Sequence, residues 1–109
     1  MNDLSLTPAQ VATLERLLRA GFRFLTFERY GAYFAVERHG FVALLDPTGG
    51  KLTVFSQAGY LVGEGIGMLV EQPGGKSFVF HDQSVPATPE RLAAYEQFKK
   101  HLDEILIPN

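Results

Sequence analysis

Residues 22–46 read FRFLTFERYGAYFAVERHGFVALLD, and the way this run is divided decides the fold. Phe, Tyr, Val, Leu and Thr dominate it, and the pairs Tyr30-Gly31 and His39-Gly40 cut it at short intervals. Short runs of such residues between turn signals are the pattern of an antiparallel meander. The pattern continues to Asp82 through the breaks Asp46-Pro47-Thr48-Gly49-Gly50, Gln57-Ala58-Gly59, Gly63 to Gly67 and Pro73-Gly74-Gly75. Each break supplies the glycine, proline or short polar residue that a tight turn needs. Up to seven strands follow, near 22–29, 32–38, 41–45, 52–56, 60–62, 68–71 and 76–80.

Alternation places Phe22, Phe24 and Thr26 on one side of the first strand and Arg23, Leu25, Phe27 and Arg29 on the other. Neither side is cleanly polar, so the sheet is expected to be covered on one face by helices and partly on the other by its own curling or by a second chain.

Outward from the sheet, both ends read as helices with similar starts. Thr7, Pro8 and Gln10 form an N-cap, a proline at the first helical position and a capping-box partner. Val11, Leu14, Leu17 and Leu18 then recur at helical spacing until Gly21. Thr88 and Pro89 open a second helix whose apolar stripe is Leu92, Tyr95, Phe98, Leu102, Ile105 and Leu106, with Pro108 as its stop. Lys99, Lys100, Asp103 and Glu104 make its solvated face.

The predicted fold is α+β over residues 1–109 as a single domain: an antiparallel meander sheet of about five to seven strands flanked by an N-terminal and a C-terminal helix in a two-layer sandwich. A small curled barrel plugged by the C-terminal helix is the alternative.

Composition narrows the function classes. Of 109 residues, 46% are hydrophobic and 20% charged, and ten basic residues against twelve acidic leave a net charge of −2. No basic footprint points to nucleic acid. The absence of cysteine removes disulfides, thiolate nucleophiles and sulfur-bound zinc. The first seven residues lack the basic segment and apolar run of a signal peptide, and charged or turn residues interrupt every apolar stretch, so a cytoplasmic protein with no membrane partner is expected.

The sharpest motif is Gly63-Glu64-Gly65-Ile66-Gly67. A glycine-rich turn can present backbone N–H groups to an anion, but GxGxG lacks the spacing of nucleotide-binding loops and opens no helix. Its expected role is a turn or bulge. His39, His81 and His101 share no metal-ligand spacing, and His81, Asp82 and Ser84 end a strand without the context of a nucleophile; no cofactor, metal or catalytic residue is predicted.

Tyr30, Tyr33 and Tyr60 lie at or near turns, where amphipathic rings suit a contact surface. The expected function is a small non-catalytic binding module acting through a sheet face or edge, on itself as a homodimer or on another protein, with the three tyrosines in contact. The alternative is a small-molecule-binding or hydrolytic protein that uses Gly63, Glu64, Gly65 and Gly67 with His81 and Asp82.

Overall fold

The computed structural model describes residues 6–106. Seven strands, β1 (Arg23–Leu25), β2 (Phe34–Arg38), β3 (Phe41–Asp46), β4 (Thr53–Val62), β5 (Gly65–Gln72), β6 (Gly75–Phe80) and β7 (Gln83–Pro86), pair in sequence order, every pair antiparallel. The meander curls into a half-barrel between helices α1 (Pro8–Arg19) and α2 (Pro89–Leu106). Both expected architectures are thus partly present, because the curl that a barrel needs coexists with a helix-covered face. No helix among the described residues is long and apolar enough to cross a membrane.

Four expected boundaries are corrected. Gln57-Ala58-Gly59 is no turn: β4 runs straight through it, joining the two strands read at 52–56 and 60–62. Gly65 to Gly67 belong to β5, so only Gly63 and Glu64 form the connection. Gln83–Pro86, which lies beyond the last strand expected at 76–80, is the edge strand β7, where Pro86 is tolerated because one side of an edge needs no donor. The first strand also ends early, at Leu25, and gives way to a 3-10 turn at Glu28–Tyr30.

The helix-facing side of the sheet carries the main core. Val36, Phe41, Ala43, Leu45, Ala58, Val62 and Phe78 meet Leu17 of α1 and Tyr95, Phe98 and Leu102 of α2. Aromatic rings set the geometry: Phe41 lies 5.9 Å from both Tyr95 and Phe98, and Phe78 lies 5.3 Å from Tyr95. These tilted and edge-on arrangements suit the ring quadrupole. On the other face Ala35, Val42 and Leu44 are buried under Leu25, Phe27, Tyr30, Tyr33, Leu61 and Ile66. That cover answers why the strands are apolar on both sides: the connection from β1 to β2 folds its own aromatics over the outer face.

The capping box of α1 forms, with Thr7 Oγ1 accepting from Gln10 N at 3.1 Å and Gln10 Oε1 accepting from Thr7 N at 2.9 Å. The buried side of this helix is rotated from the expected one. Gln10, Thr13 and Leu17 face inward, while Val11 and Leu18 are exposed. The Gln10 amide explains the rotation, since its Nε2 donates to the carbonyls of Pro47 at 2.7 Å and Lys51 at 3.2 Å and so ties α1 to the β3–β4 connection. In α2 the expected stripe holds, with Tyr95, Phe98 and Leu102 buried, and Thr88 Oγ1 accepts from Arg91 N at 3.1 Å. Pro108 lies outside the described residues. Lys99 pairs with Glu96 at 3.3 Å rather than with Asp103.

One charged group is buried in the sheet. Glu37 accepts from Arg23 Nε at 2.7 Å through one carboxylate oxygen and from Gly40 N at 2.8 Å through the other. Burial pushes this carboxyl up, but the hydrogen bonds from Arg23 and Gly40 and the charges of Arg23 and His39 outweigh it and hold it below its ordinary value.

Candidate functional site

The site begins with a misfit between β3 and β4. Val42 lies opposite Gly59, but Leu44 lies opposite Phe55, so a step of two residues on β3 matches a step of four on β4. The surplus residues bulge from β4, with Ser56 in the left-handed region at φ 62°. A bulge bends its strand. Beyond the bend, Tyr60, Leu61 and Val62 pair with Gly67, Ile66 and Gly65 of β5. Before it, Thr53, Val54 and Phe55 pair with β3 alone, while from Met68 onward β5 pairs with β6 alone. The sheet therefore opens between the first half of β4 and the second half of β5, and each strand presents an unladdered backbone edge to the other. An unpaired strand edge is a row of donors and acceptors that can template another strand.

Clefts reach the opening from both faces. The inner one, about 370 Å3, has walls of Val54, Leu69 and Leu102 and a floor at Tyr95. Glu96, Lys99 and Asp103 of α2 stand at its mouth. The outer one, about 100 Å3, is lined by Tyr30, Leu44, Phe55, Ile66 and Met68. Ser56 and Gln57 line both, so the sheet is breached at the bulge.

Helix α2 closes only the top of this breach. The Tyr95 hydroxyl donates to the carbonyl of Ala58 at 2.8 Å, which satisfies one acceptor that a continued β4–β5 ladder would have used. Burial pushes the Tyr95 phenol up, partly offset by the Lys99 charge and reinforced by Glu96. Lys99 lies 4.4 Å from the centre of the Tyr95 ring and bonds Glu96, whereas Asp103 has no ion pair or hydrogen bond among the described residues. No buried side-chain nitrogen or oxygen among them lacks a partner, so the open hydrogen-bonding capacity resides in backbone edges.

The residues singled out from sequence fall into three places. Gly63 and Glu64 form the β4–β5 turn, and His81 and Asp82 form the β6–β7 turn. The two turns are neighbours, because a Cβ on Gly63 would meet the side-chain oxygen of Gln83 at 2.1 Å. Gly65 and Gly67 adjoin them but face inward: a Cβ on Gly65 would lie 2.2 Å from the Phe80 ring, and one on Gly67 2.5 Å from Val62. Close packing of the Phe80 ring on the Gly65 backbone and of the Val62 side chain on that of Gly67 accounts for these two glycines. Glu64, His81 and Asp82 are exposed, and the two clefts at the breach are lined by other residues. Among the described residues no group of three His, Asp or Glu could hold a metal.

The three tyrosines do not share a surface. Tyr30 and Tyr33 lie on the outer face, with the Tyr33 ring stacked on Phe55 at 4.4 Å and 18°. Tyr60 is on the helix side, 4.9 Å from Phe41 and 5.4 Å from Phe78, with the Arg91 guanidinium 5.3 Å from its ring centre. Only Tyr30 of the three touches the breach.

Sequence reading missed Ser56, Gln57, Tyr95 and Asp103 as site residues. A signal existed for the first two, since a lone glycine inside an otherwise strand-like run marks a bulge as readily as a turn. Compared with known proteins, the chain matches no family model, no curated protein and no solved structure.

Proposed function

We propose that this protein is a non-catalytic binding module that takes an extended segment of a partner protein as an added strand at the breach between β4 and β5. The observation that carries this reading is the loss of β4–β5 pairing below Tyr60 and Gly67, which leaves two facing strand edges with side-chain clefts on either side. Strand addition draws affinity from main-chain hydrogen bonds and specificity from alternate side-chain pockets.

Magnitudes show why the clefts matter. Each backbone hydrogen bond contributes about 1 kcal/mol net. Association costs at least about 4 kcal/mol in lost rigid-body freedom. A short added strand thus roughly breaks even on backbone bonding, and the margin must come from side chains buried in the clefts at about 1.5–3 kcal/mol each.

The test is selection of heptapeptides from a random displayed library against the intact protein, followed by amide chemical-shift mapping with the selected synthetic peptides. Shifts concentrated in residues 53–58 and 68–72 are expected. Because the chain has no cysteine, Gln57→Cys with Val70→Cys can be bridged by a short bifunctional reagent. Bridging should abolish binding, and the unbridged double variant should retain it. Shifts confined to other surfaces, or binding that survives the bridge, would overturn the reading.

A further inference from the structure

We infer that the segment taken up at the breach carries a basic side chain, Lys or Arg, on its inward side between apolar side chains on its outward side. This rests on the strand-addition reading and specifies its partner. Side chains of a strand alternate between the faces of its sheet, so an added strand sends every second residue outward and the others inward.

The outward side chains meet Phe55, Ile66 and Met68, where no charged group lines the cleft. Apolar residues are favoured there. The inward ones enter a cleft of different character. Its depth is apolar, formed by Val54, Leu69 and Leu102, but its mouth holds two carboxylates, Glu96 and Asp103, against one ammonium, Lys99. Lys99 is already committed to Glu96 at 3.3 Å and to the face of Tyr95. The excess negative charge is therefore that of Asp103. A long basic side chain fits both features, laying its methylene stem along the apolar walls and its charged head at the carboxylate. An acidic residue at that position would face Asp103 and Glu96 together and be repelled, which makes the mouth a filter as well as an attractor.

The experiment uses three fluorescein-labelled peptides, Val-Ser-Val-Xaa-Val-Ser-Val on a soluble Gly-Ser tail, with Xaa Arg, Ala or Glu, titrated against the intact protein by fluorescence anisotropy. The Arg peptide should bind about tenfold more tightly than the Glu peptide, with Ala between, and added salt should shrink the difference. Asp103 is exposed, so Asp103→Lys leaves the fold unchanged by circular dichroism and should reverse the order of the Arg and Glu peptides. Equal affinity for all three peptides, or a preference unchanged in Asp103→Lys, would overturn this inference while leaving strand addition intact. If none of the three binds and amides 53–58 and 68–72 show no shift, strand addition itself fails. A protein that sediments as a dimer with those amides already protected would identify a second copy as the occupant and overturn both.

Discussion

The Tyr95 hydroxyl and the Ala58 carbonyl, 2.8 Å apart, mark the point where the β4–β5 ladder stops and a helix takes over its bonding. Above that contact β4 and β5 pair through Tyr60, Leu61 and Val62, and below it they diverge. Tyr95→Phe removes the donor and leaves a buried carbonyl without a partner. The expected cost is about 1–3 kcal/mol of stability, measured by urea denaturation, with little change in the fold. The same buried phenol should ionise above the ordinary tyrosine value in an alkaline titration at 295 nm, in a step that Tyr95→Phe removes. Its raised folded-state value means that this contribution to stability is present below pH 10 and is lost as pH rises from there through the folded-state pKa.

Gly65→Ala tests whether the glycine run serves packing. Its added methyl would enter the Phe80 ring, an overpacking cost of about 1–3 kcal/mol. In Phe80→Leu the space exists, so Gly65→Ala should cost much less in that background. Additive losses in the double variant would contradict the contact.

Glu37 sets the acid limit of the sheet. Because its folded-state pKa lies below the ordinary 4.5, its ionised form stabilises the fold above that pH, and this contribution is lost as pH falls further through the folded-state value. Thermal melts between pH 7 and pH 3 should show an acid drop that Glu37→Gln reduces. The variant should also be about 1–2 kcal/mol less stable at pH 7, because the Arg23 and Gly40 donors lose a charged acceptor.

Tyr33→Ala and Tyr60→Ala should separate by their faces. Tyr60 packs its tilted ring on Phe41 and Phe78 of the main core, so its loss should lower the melting temperature strongly. Tyr33 packs on the exposed Phe55, and its loss should cost about 0.5–1.5 kcal/mol beyond its buried area. Equal melting temperatures in the two variants would contradict their assignment to different environments.

How far the chain could be read in advance follows from which signals are local. The N-cap at Thr7, the stripe of α2 and the turn at His39-Gly40, where both residues have positive φ, are written in neighbouring residues and appear as expected. The buried side of α1 was not legible, because Gln10 turns inward for carbonyls 37 and 41 residues away. The breach was illegible for the same reason. Gln57-Ala58-Gly59 has turn chemistry, and only the pairing partner Val42 decides that Gly59 stays in a strand and that the surplus residues bulge out. The three tyrosines resemble one another in sequence context, but Tyr60 lies in β4 on the helix side, whereas Tyr30 ends the 3-10 turn and Tyr33 precedes β2 in the connection that folds over the outer face.

Open backbone edges at the breach are what an added strand requires, and residue-resolved amide hydrogen exchange on the free protein measures them directly. In residues 53–57 and 68–72 protection should alternate, slow where an amide bonds to β3 or β6 and fast where it points into the breach. Residues 60–62 of β4, which pair with Gly65 to Gly67 of β5, should be slow throughout, and the Leu61 N–H on their other side donates to the Gly40 carbonyl at 2.8 Å. Uniform strong protection across 53–57 and 68–72 would contradict the account, because it would mean that the two edges already have partners and no place is left for an added strand.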